Sequence, residues 1–119
     1  MKSVALFLGA SLLAACASGP RLPIAPGVYQ FQQRFAEHPS MQGAELKATI
    51  EGHRIELVNE GDSKVFPRGL VEKGILHWHA RTGQWIIVSG PGDAGADEVG
   101  GCSDGPTVID LVARIYWTC

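Results

Sequence analysis

Apolar and polar side chains alternate on both sides of a turn between Glu45 and Leu57. Leu46, Ala48 and Ile50 alternate with Glu45, Lys47, Thr49 and Glu51, and Ile55 and Leu57 alternate with Arg54 and Glu56. A period of two is that of a strand, and this pattern requires a sheet with one covered face and one wet face. Counting outward from a two-residue turn at Glu51-Gly52 sets Ala48 opposite Ile55, Leu46 opposite Leu57 and Lys47 opposite Glu56. Apolar then meets apolar, and opposite charges meet on the other side, as an antiparallel pair favours.

The rest of the chain has the same grammar. Val28 to Gln32 reads as a first strand, and Glu37 to Gly43 is loop chemistry. Glu60-Gly61-Asp62-Ser63 is a turn, and Pro67-Arg68-Gly69 is a second break shortly after it. Strand character returns at Leu70-Val71 and at Ile75 to Ala80. A three-residue loop, Arg81-Thr82-Gly83, leads into Gln84 to Val88. Fifteen Gly and seven Pro in 119 residues favour short strands and many turns over long helices. The expected fold is mainly β: a small antiparallel barrel or sandwich of about six to eight short strands. The terminal run from Thr107 to Cys119 alternates like a strand but also fits a helix through Val108, Leu111, Val112 and Ile115.

At the N-terminus, Lys2 precedes an apolar run from Val4 to Ala15 that closes on Leu13-Ala14-Ala15-Cys16 and breaks into Ser18-Gly19-Pro20. A charged start, a short apolar stretch and small residues at a cut site make a secretory signal, too short for the roughly 20 residues of a membrane span. Leu13-Ala14-Ala15-Cys16 resembles the lipobox of bacterial lipoproteins. That resemblance implies removal of residues 1–15, a diacylglyceryl group on Cys16, and a membrane anchor. Residue 17 is Ala and not Asp, which by the same resemblance points to the outer membrane, with the domain facing the periplasm or the cell surface. Residues 16–26 are then a lipidated tether punctuated by Pro20, Pro23 and Pro26, and residues 27–119 form one domain of ordinary small size. Gly27-Val28-Tyr29 resembles, over those residues alone, the Gly-x-Trp opening of lipocalin-type barrels, with Tyr in place of Trp.

With three Cys in the chain and Cys16 given to lipid, Cys102 and Cys119 are left as the pair for a disulfide. A straight strand from Thr107 to Cys119 would run roughly 40 Å, which the five steps back to Cys102 cannot retrace. The bridge needs the two Cα atoms within about 7 Å, so the segment must be a helix or a strand broken near Ala113.

Chemistry is sparse. The chain carries 10 basic and 12 acidic residues with no basic cluster, which disfavours nucleic acid as a partner. No zincin helix or phosphate loop occurs, and Ser103-Asp104-Gly105-Pro106 reads as a turn without catalytic weight, so no enzymatic activity and no cofactor are expected. With the three-residue loop, one face of the second hairpin holds Leu76, Trp78, Ile86 and Val88. The other holds Ile75, His77, His79, Trp85 and Ile87, an apolar mixture that reads as a central strand pair or a binding face for an envelope protein partner. His77 and His79, two apart on a strand, could also grip a metal ion with a third ligand from His38, His53 or the acidic loop. Asp93, Asp97, Glu98 and Asp104 lie among glycines in residues 91–106, where oxygen ligands for Ca²⁺ are conceivable but an EF-hand spacing is not met. Three functions are open to such a chain: a non-enzymatic binding or structural module of the envelope, an inhibitor of a hydrolase through the 91–106 loop, or a metal-binding protein.

Overall fold

The computed structural model describes residues 20–119; Cys16 and the expected signal segment lie outside the described residues. The described residues form seven strands: β1 (Gly27–Phe35), β2 (Glu45–Glu51), β3 (Arg54–Asn59), β4 (Gly69–His79), β5 (Gln84–Val88), β6 (Val108–Asp110) and β7 (Ile115–Thr118). They pair in chain order and close into a barrel. Six junctions are antiparallel and the closing one, β1 against β7, is parallel. The odd strand count dictates this, since the first and seventh strands of an up-and-down meander run the same way. Closure removes both sheet edges, and with them the unpaired backbone that invites aggregation.

The period-two pattern sorts as expected. Leu46, Ala48, Ile50, Ile55 and Leu57 point inward and are buried, together with Phe31, Leu76, Trp85, Ile87, Ile109, Leu111 and Tyr116. The pairing differs from expectation. The two-residue turn is Gly52-His53, so Glu51 faces Arg54, Ile50 faces Ile55, Ala48 faces Leu57, and Lys47 faces Val58. Gly52 opens the turn at φ 58°, a left-handed backbone that glycine adopts without the penalty a Cβ would bring. Moving the turn by one residue shifts each strand's partner by two positions, which keeps every side chain on its face. Lys47 loses Glu56 as its cross-strand partner and reaches Glu60 at 3.1 Å instead.

Among the described residues, Gln33 and Asn59 are polar side chains buried in the interior, and each has hydrogen-bond partners. Gln33 donates to Thr118 Oγ1 at 2.7 Å and accepts from the Ala44 amide at 2.9 Å, which ties β1 to β7 and to the loop before β2. Asn59 donates to the Phe66 carbonyl at 3.0 Å and accepts from the Gly61 amide at 3.1 Å. A buried amide left without such partners would cost roughly 1–3 kcal/mol.

The C-terminal run is a broken strand. The Asp110 carboxylate accepts from the amides of Val112 and Ala113 at 3.0 and 2.8 Å, an Asx turn that reverses the chain. Arg114 completes it with φ 61°. The reversal returns Cys119 to Cys102, and the two form a disulfide with Cα atoms 4.6 Å apart.

Candidate functional site

The expected binding face does not exist as one surface. The loop between β4 and β5 has four residues, Ala80 to Gly83, so His79 pairs with Gln84, Trp78 with Trp85, His77 with Ile86 and Leu76 with Ile87. One extra loop residue slips the register by one, and a slip of one exchanges the faces of the whole second strand. Trp85 and Ile87 therefore point into the barrel, where Trp85 meets Trp78 edge to face at 5.4 Å. Ile75 and His77 point outward and are exposed, while Ile86, expected on the other face, lies outward beside them and is fully buried.

The segment between β5 and β6 lies against the residues around Ile86, meeting His79 and Val108, the cross-strand partner of Ile86. This long loop is held against the outer wall at several points. His79 is 4% exposed, with Nε2 2.7 Å from the Ala96 carbonyl and Nδ1 2.8 Å from Thr82 Oγ1. The carbonyl can only accept, so Nε2 carries the proton and Nδ1 accepts from the hydroxyl. Arg81 pairs with Asp97 at 2.6 Å. Gly100, at φ 68°, lies so close to Val108 that a Cβ would sit 2.6 Å from its Cγ2. Cys102 is bolted to Cys119 beyond this point.

These contacts remove the metal arrangement drawn from the sequence. Both ring nitrogens of His79 are occupied, whereas His77 faces solvent. His38 stands in the loop after β1 and His53 in the β2–β3 turn. Among the described residues no group of three or more His, Cys, Asp or Glu side chains is placed to hold a metal ion. The acidic residues of the loop act separately. Asp93 accepts from the amides of Ser89 and Gly90 at 2.9 and 3.0 Å, Asp97 binds Arg81, and Glu98 and Asp104 are exposed. The loop is clasped to the wall at His79, Arg81 and Cys119.

Two of the concave surfaces include residues singled out from the sequence. A groove of about 560 Å³ crosses the outer wall of β2 to β5, where Glu51, Arg54, Glu56 and Lys73 surround Ile75 and Val88. It takes in two of the residues read from sequence as a face or its neighbour, Ile75 and Val88, and adds two charges of each sign that the sequence reading did not connect with them. A smaller hollow of about 310 Å³ lies at one end of the barrel, lined by Pro23, Trp78, Trp85, Leu111, Val112 and Trp117. The expected tether supplies part of this end, because Leu22 and Ile24 pack against the core. Tyr29 donates to the Ala25 carbonyl at 2.6 Å, and Arg114 sits 4.8 Å above the Tyr29 ring. Residues 20–26 thus line the barrel end and do not form a free spacer.

The interior holds a cluster that sequence reasoning missed. Glu72, from the bulged part of β4, accepts from the Tyr116 hydroxyl and, at 2.9 Å, from Thr107 Oγ1. Burial above all, and then the Glu72 carboxylate, push the Tyr116 phenol far above its ordinary pKa of 10.0, against a smaller opposing effect from Thr107. The phenol is thereby a proton holder, and the cluster has the character of an internal cross-brace. Comparison with protein-family models, with curated proteins and with solved structures found no match.

Proposed function

We propose that the protein is a lipid-anchored module of the bacterial envelope, attached through Cys16 to the outer membrane, that binds an envelope partner and catalyses no reaction. The observation that carries this reading is the run Leu13-Ala14-Ala15-Cys16, followed within a few residues by a chain segment docked on a closed, disulfide-bridged barrel. A closed barrel with a clasped wall is a rigid platform, and rigid platforms lose little entropy on binding. The wall groove around Ile75 is its recognition surface. An exposed apolar residue at 45% exposure, ringed by Glu51, Arg54, Glu56 and Lys73, matches an apolar anchor with a polar rim.

Two measurements test this. Intact mass of the membrane-fraction protein should show a chain beginning at Cys16 and carrying acyl mass, and Cys16→Ser should abolish both; an unmodified Cys16 in the membrane fraction defeats the anchor. A photo-cross-linking amino acid in place of Ile75 should yield an adduct in living cells that the same group in place of Val65 does not. Equal adducts at the two positions remove the groove as the binding surface.

A further inference from the structure

The end of the barrel from which the N-terminal segment leaves differs from the opposite end. Strand directions place the start of β1, residues 20–26, the Gly52-His53 turn, the Ala80 to Gly83 loop and the Asp110 to Arg114 turn together there. This end carries Val28 at 65% exposure and Val112, on the tip of its turn, at 77%. The hollow beside Val112 is lined by the half-buried Trp78 and Trp117 and by the buried Trp85. Of the charges there, Arg21 and Arg114 are exposed, Arg81 is paired with Asp97, and Glu51 faces Arg54 across their turn. The Asp110 carboxylate is turned into its own backbone. The loops of the opposite end carry Glu37, Glu60, Asp62, Asp93 and Asp104 against Lys64 and Arg68, with Arg68 paired to Asp62 and Lys47 of β2 to Glu60, which leaves a net acidic excess.

Tryptophan, exposed aliphatic residues and arginine together are the composition of a protein surface that rests in the headgroup region of a bilayer. Arginine meets phosphate, the indole sits at the boundary, and the aliphatic tip enters the acyl region. Chain length keeps this end of the barrel close to the bilayer when Cys16 is lipidated. Four residue steps separate Cys16 from Pro20, a reach of at most about 14 Å. Pro23 is already against the Trp hollow, so the lipid, the docked segment and the apolar tip meet at one end.

We propose that this end of the barrel is a membrane seat: Val112 and Val28 insert among lipids, with Arg21 and Arg114 on anionic headgroups. The barrel axis then stands on the membrane, with the acidic end outward and the Ile75 groove on the side wall, open to a partner. The proposal rests on the lipidation of Cys16 and fixes an orientation that lipidation alone does not.

The test uses the full chain, processed and acylated in the cell, purified with its disulfide intact and reconstituted into vesicles of phosphatidylethanolamine and phosphatidylglycerol. Val112→Cys and Val65→Cys are each labelled with an environment-sensitive dye, Val65 being an exposed residue of the opposite end. The expected result is blue-shifted emission at 112 that is lost when the acyl chains are brominated, and neither effect at 65. Vesicles that retain the protein while 112 stays unquenched keep the anchor and overturn the seat. A blue shift at 112 that ignores bromine but grows with protein density assigns the end to a second copy of the chain, which also overturns it. Failure of the protein to float with the vesicles, with no acyl mass on Cys16, overturns the anchor and the seat together.

Discussion

The hydroxyl of Tyr116 on β7 donates to Oε1 of Glu72 on β4, across the barrel interior between strands that are not neighbours in the sheet. Thr107, just before β6, donates to the same oxygen. The carboxylate is thus an inner tie between the two halves of the barrel.

This tie has a pH signature. The folded state holds the Tyr116 proton more tightly than the unfolded state, where the pKa is the ordinary 10.0. The associated stability is complete below that value and is lost as pH rises through it toward the folded pKa. Melting temperature should therefore be flat across the neutral range and fall on the alkaline side of about pH 10. Tyr116→Phe should remove this component of the alkaline loss while costing about 1–3 kcal/mol at neutral pH, because Glu72 loses a donor. Parallel alkaline melting curves for the two proteins would show that other groups govern the loss.

Cys102 and Cys119, 17 residues apart in sequence, close a loop whose bridge should contribute about 3 kcal/mol. Replacing both with Ala is expected to lower the unfolding free energy by that amount and to raise amide exchange across residues 89–107. Mass spectrometry of a non-reduced digest should recover the two peptides linked; two free thiols would contradict the bridge.

His79 and His77 should behave as opposites. His79→Ala removes two hydrogen bonds at a buried position and should cost about 2–3 kcal/mol. It should also expose the loop near Ala96 to proteases. His77→Ala, on the wet face, should stay within about 0.5 kcal/mol of the parent. Urea titrations of the two variants check this, and equal losses would mean that the loop does not lie where His79 holds it.

Gly100 combines a left-handed backbone with the closest approach of the loop to Val108. Gly100→Ala should destabilise by about 2 kcal/mol, part from the backbone and part from a Cβ that displaces Val108. Gly92 is also left-handed but has open space around its missing Cβ, so Gly92→Ala should cost only the backbone share. A thermal melt of each separates the two contributions; indistinguishable values would remove the packing argument.

The sequence by itself determined the mainly β class, the inward set of the first hairpin, and that the C-terminal run is not one straight strand. Each rests on local information: the period of two at Leu46, Ala48 and Ile50, and the distance that Cys102 and Cys119 can tolerate. Turn residues gave less. Glu51-Gly52 and Gly52-His53 serve equally well as two-residue turns, and Ala80 serves equally well as strand or loop. The first ambiguity moved partners without moving faces, whereas the second turned Trp85 and Ile87 inside out. Only the tertiary structure decided what covers what. His79 is buried on the outer wall because the β5–β6 loop folds back over it, and Glu72, which shares the inward parity of Leu76, meets Tyr116 because the sheet closes into a barrel. No local pattern encodes such placements, since they depend on the path of segments far away in the chain.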